Sequence, residues 1–98
     1  MEIEQVVLAH FQYIERVAAF LEGSGPDPSD QLTSADDCPM GAWLREHPNE
    51  RLVELHERFH RLLDEAVALA KAGEGEKARP LLDEAYTLYS QLEHGLFD

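Results

Sequence analysis

Apolar residues in this chain return at three- and four-residue spacings and nowhere alternate with period two, a pattern that builds helices and not strands. From Ile3 to Leu21 the stripe is Ile3, Val6, Val7, Ile14, Val17, Ala18 and Leu21, which predicts a first amphipathic helix. GSGPDPSD, residues 23–30, then joins flexible glycine to helix-stopping proline and predicts a long exposed loop, kept in water by Asp27, Asp30, Asp36 and Asp37. In SADDCPMGAWLREH, residues 34–47, Ser34 followed by Asp37 resembles a helix-start signal and Pro39 suits a first turn. A short helix with Cys38 near its beginning is expected there. Pro48 ends it, and Asn49 caps the next helix, whose stripe is Leu52, Leu55, Phe59, Leu62, Leu63, Ala66, Leu69 and Ala70, up to the stop at Gly73. A last helix from about residue 76 to 94 carries Leu81, Leu82, Ala85, Leu88, Tyr89 and Leu92, with Pro80 forcing a late start or a kink. The expected architecture is an all-α antiparallel helical bundle of three long helices and one short helix that carries the cysteine.

With 98 residues the chain is long enough for one hydrophobic core, so a single domain over residues 1–98 is expected, without an elaborated cleft. Its 20 acidic against 8 basic residues leave a formal charge of -12, which repels phosphate backbones and anionic lipid surfaces and argues against nucleic-acid binding. No stretch approaches the ~18 consecutive apolar residues of a membrane span. The opening Met1-Glu2-Ile3-Glu4 lacks the basic segment of a signal peptide, so no membrane insertion and a cytoplasmic location are expected. The single cysteine, Cys38, forms no internal disulfide and acts, if at all, as a thiolate.

At about 100° per residue, His10 falls in the middle of the first helix's apolar stripe, between Val7 and Ile14. His56 and His60 lie one turn apart on the third helix and are expected to point inward at the edge of its stripe. A buried imidazole without a partner costs on the order of 1–3 kcal/mol. Either each of the three is satisfied separately in the core, or they share a metal ion, which uses neutral imidazole as ligand. Cys38 is followed by Pro39, Met40 and Gly41, a tight stretch that could turn its sulfur back toward the bundle, with Trp43 and Leu44 as apolar anchors. As a small buried hydrophobe it would need no metal. Together His10, Cys38, His56 and His60 would make a set suited to tetrahedral Zn²⁺.

The same HERFH stretch, residues 56–60, satisfies H-E-x-x-H, in which two histidines hold a catalytic zinc and a glutamate, here Glu57, is the general base. A peptidase would also need a third ligand downstream, for which His94 or Glu84 is available, and an edge strand to hold substrate, which the pattern does not supply. Four protein ligands would instead close the sphere to a water nucleophile. His47 and His94 read as ordinary polar residues.

HFQY with His10 and Tyr13, CPMGAWL from Cys38 to Leu44, and HERFH from His56 to His60 stand in the order of a histidine on a first helix, C-x-x-G-x-W-[L/Y], and H-x-x-x-H. In this the chain resembles the chemoreceptor zinc-binding (CZB) domain family, over nearly its whole length. Tyr13 stands where tryptophan is usual, and the eleven residues Arg45 to Leu55 make a shorter connection than in many members. The resemblance implies a helical domain, not an enzyme, that binds one Zn²⁺ through His10, Cys38, His56 and His60. It also implies a homodimer, attachment to a chemoreceptor or diguanylate cyclase output module, and sensing of zinc or of oxidants such as hypochlorous acid. A zinc-stabilised dimerisation or adaptor module is the structural alternative.

Overall fold

The first stripe forms α1 (Ile3–Leu21), which buries Val6, Val7, His10, Ile14 and Val17 along one side. It ends at Gly23, whose φ of 76° only glycine adopts without strain, and the amides of Gly23 and Ser24 turn back to the carbonyls of Phe20 and Ala19. The computed structural model describes residues 3–28 and 38–97. The Ser34–Asp37 signal and the acidic residues Asp30, Asp36 and Asp37 lie outside the described residues.

Chain order continues with α2 (Pro39–Glu46), α3 (Glu50–Lys71) and α4 (Gly75–Phe97). Cys38 is the residue before α2, in extended conformation, and Pro39 occupies the first helical turn, where its missing N–H costs nothing. The Asn49 side chain accepts a hydrogen bond from Leu52 N at 3.2 Å and so caps α3. Gly73, at φ 81°, closes the tight turn that folds α4 back on α3. Pro80 neither delays nor ends α4, which begins at Gly75 and contains the proline. So near the start, proline removes a single backbone hydrogen bond, and the burial of Ala78, fully inaccessible, holds the first turn in place.

All four elements are helices, and no strand occurs among the described residues. The 22 residues of α3 span about 33 Å at 1.5 Å per residue, most of the molecule's 39 Å long axis. α3 is the central element: it pairs with α4 in a helical hairpin, α1 lies against both, and α2 packs on α1 and α3. Ile14, Val17, Phe59, Leu63, Ala66, Ala78 and Ala85 are wholly inaccessible and mark the core. None of the described helices is long and apolar enough to cross a membrane.

Candidate metal centre

Three helices bring four side chains to one point. α1 contributes His10, the residue preceding α2 contributes Cys38, and α3 contributes His56 and His60; one ligand atom from each lies within 4.8 Å of all the others. The four are 4, 5, 2 and 3% exposed, in that order, so their polar atoms need partners within the protein or an ion. His56 and His60 are therefore buried outright and not at the edge of a stripe as the helical wheel suggests. α2 supplies the difference, because Met40 and Leu44, at 1 and 2% exposure, seat it over α1 and α3. Trp43, expected as an anchor, is half-buried and stacks on His47 with ring centroids 4.1 Å apart. Trp43 still packs against the core, and Met40 joins Leu44 as a fully buried anchor because the two stand four residues apart on one short stripe.

Which nitrogen each histidine presents follows from its neighbours. His10 Nδ1–H donates to the Val6 carbonyl at 2.8 Å, one turn back on α1, so Nε2 carries the lone pair. The Cys38 thiol lies 3.1 Å from that Nε2 and can donate to it. His56 Nε2 lies 3.3 Å from the same atom and 3.0 Å from His60 Nε2. Three imidazole nitrogens thus converge with one thiol on a single buried space. Neutral imidazole nitrogens and a thiolate gathered in this way are a donor set for a metal cation.

Electrostatics keeps two of the imidazoles in ligand form and the thiol out of it. Burial lowers the His10 pKa, helped by His60 and opposed by the Val6 hydrogen bond. Burial, with the charges His60 and His10 would carry, pushes His56 down to about 3. Burial also pushes the Cys38 thiol up, partly offset by the Met40 and Gly41 amides. The metal-free protein therefore holds these two imidazoles neutral and the thiol protonated at neutral pH, and binding a metal releases the thiol proton. The His56 shift has a consequence for stability. Between its folded value near 3 and its ordinary value of 6.5, the unfolded chain takes up a proton that the folded chain refuses. The stability is complete above 6.5 and is lost as pH falls toward 3. Chelator-treated protein is expected to unfold at lower urea concentration at about pH 4.5 than at about pH 7. The drop is smaller in His56→Leu; equal drops would remove His56 as its cause.

Tetrahedral zinc with Zn–N of about 2.0–2.1 Å and Zn–S of about 2.3 Å places its ligand atoms about 3.3–3.6 Å apart. The separations of 3.0, 3.1 and 3.3 Å lie just inside that shell and the widest in the cluster reach 4.8 Å, so the ligand atoms bracket it and side-chain adjustments of about an ångström would close it. Three borderline nitrogens and one sulfur are also the donor chemistry zinc selects. The residues present fit the ion.

Among protein families, the chemoreceptor zinc-binding domain matches residues 10–67, more than half of the chain. The chain belongs to this family. The match begins at His10 and contains Cys38, His56 and His60, while α4 lies beyond it. CZB domains are zinc-binding signalling domains that occur in chemoreceptor-type proteins, not a catalytic family. Neither the curated proteins nor the solved structures contain a match to the chain.

Aromatic residues wall the cluster. Phe59, wholly buried, packs 5.5 Å from the His10 ring and 5.7 Å from that of His60, and Tyr13 meets His60 edge-on at 6.0 Å. The tyrosine in place of the usual tryptophan thus still faces a cluster histidine. Phe59 reads in the sequence as core alone; its place between His56 and His60 in HERFH is the signal that it also walls the centre. The remaining peptidase candidates are elsewhere. Glu57 is exposed, Glu84 forms an ion pair with Arg58 at 2.6 Å, and His94 lines a separate surface pocket with Leu52 and Gln91.

Proposed function

We propose that this chain is a zinc-binding sensory domain in which His10, Cys38, His56 and His60 hold one zinc ion, with Cys38 as the ligand that an oxidant attacks. The observation that carries the reading is the convergence of three imidazole Nε2 atoms and one Sγ, from α1, α3 and the start of α2, in a buried space. Zinc supplies a charge that holds the sulfur as thiolate at neutral pH. With four protein ligands the shell is closed to a water nucleophile, so the chain is not a peptidase and HERFH serves as half of the site.

Cys38 is the ligand best placed to switch. It stands at the start of α2, the smallest helix, which Met40 and Leu44 seat on the bundle. Attack of the thiolate on hypochlorous acid forms an S–O bond, breaks the O–Cl bond and yields sulfenic acid and chloride; sulfur loses two electrons and chlorine gains them. A sulfenic acid is a poor ligand, so the tie between α2 and the histidines is lost and α2 is freed to move, a change an attached output module can read.

Elemental analysis tests the site. About one zinc per chain is expected in the wild type, with little or none in Cys38→Ser or His56→Ala. Hypochlorous acid is then expected to release zinc from the wild type in proportion to Cys38 sulfenic acid found by mass spectrometry. Metal-free wild type, even after zinc addition, would return the histidines to ordinary core packing. Oxidation of Cys38 without zinc release would leave a site that is structural or responds to zinc itself.

A further inference from the structure

The four cluster residues are at most 5% exposed, so an ion passes between them and water only where the surrounding walls are thin. One such place lies beside α2. α2, the connection after it and the first turns of α3 enclose an open pocket of about 410 Å³, lined among others by Leu44, Val53 and His56. His56 belongs both to this pocket and to the metal cluster, whereas His10, Cys38 and His60 do not line the pocket. Around it stand the exposed Glu50, Glu54 and Glu57, at spacings of four and three residues and so on one face of α3, with Arg45 as a single opposing charge.

We propose that this pocket is the mouth through which zinc enters and leaves the centre, with His56 the first imidazole the ion meets and the three glutamates the charges that draw it in. The proposal rests on the zinc site proposed above and adds the route to it. The glutamates do not make a second binding site, because the only group of three or more metal-ligating side chains that converges among the described residues is the centre itself. They act at longer range, concentrating a divalent cation at a low-dielectric opening. Leu44, at 2% exposure, and the half-buried Val53 stand where the pocket approaches the bundle interior. A side chain that narrows such a passage raises the barrier equally in both directions, because it leaves the free and bound states as they were. Entry and release then slow together and the equilibrium constant stays put.

That symmetry is the test, made on the whole chain with zinc as the probe. Association of Zn²⁺ with the metal-free protein and its transfer to a chromogenic chelator are followed by stopped flow, and Kd is measured by competition. Val53→Trp, which fills the pocket, is expected to slow both rates by about tenfold, the barrier a crowded side chain imposes, and to leave Kd within about twofold. Val53→Ala, which widens it, is expected to speed both. Replacing Glu50, Glu54 and Glu57 together by glutamine is expected to slow association by about tenfold and to flatten its dependence on salt. Wild-type rates in both Val53 variants would overturn the proposal, as would a change in release alone that carries Kd with it, since that marks disturbed ligands. Should Val53→Trp fail to give the wild-type helical circular dichroism, Val53→Ala and the glutamine variant decide. A wild-type protein that binds no zinc would sink the site itself, an outcome distinct from bound zinc that exchanges by another route.

Discussion

Removal of zinc is expected to lower the thermal midpoint of the wild-type protein by about 15–30 °C, and His56→Ala is expected to show the lower midpoint with or without zinc. The size follows from linkage: a ligand present at about a thousand times its dissociation constant stabilises the folded state by about 4 kcal/mol. In a domain of this length each kcal/mol moves the midpoint by about 4–8 °C. The metal-free protein is expected to remain folded, unlike an isolated zinc finger, because α1, α3 and α4 share a core of their own in which Ile14, Val17, Phe59, Leu63, Ala66, Ala78 and Ala85 are wholly inaccessible. The loss should fall first on α2, whose eight residues are too few for a stable helix alone. Trp43, the only tryptophan and a residue of α2, reports this directly through its stack on His47. Differential scanning calorimetry with and without chelator, followed by tryptophan emission, is the measurement. Equal midpoints for both metal states would show that zinc does not hold the fold together.

Phe59→Ala is expected to cost about 3–5 kcal/mol of stability, the range for emptying a fully buried aromatic site. Phe59 has no exposed surface and touches the rings of both His10 and His60, so the cavity opens beside two histidines of the cluster. The substitution should also weaken zinc binding, because imidazoles that lose a packed neighbour lose the orientation on which their shared geometry depends. Phe59→Leu, which keeps most of the volume, should recover most of both. Urea unfolding of the metal-free forms measures the packing loss, and zinc competition measures the rest. A Phe59→Ala protein with lowered stability but wild-type zinc affinity would confine Phe59 to the core.

The two halves of HERFH show how far the sequence reaches. That His56 and His60 stand one turn apart and close to the apolar stripe follows from 3.6 residues per turn, a property of backbone hydrogen bonds that no distant residue alters. The cap at Asn49, the stop at Gly73 and the proline at the start of α2 are equally local, and each stands in the structure where the sequence puts it. The depth of the two histidines was not legible. A helical wheel knows one partner surface, and the second, α2, is held in place by Met40 and Leu44 from elsewhere in the chain. Nor could the wheel show that Pro80 would be absorbed within α4, because that depends on how firmly Ala78 is buried by its neighbours.

By itself, then, the sequence determined four helices, their buried faces and a residue set chemically suited to zinc, since periodicity, capping and donor type are written within a few residues of each position. Only the tertiary structure decided that His10 Nε2 meets Cys38 Sγ across 28 residues and His56 Nε2 across 46. Separations of that kind are set by the packing of side chains between helices, which decides whether four donor side chains gather in one buried cluster or stand apart in the core.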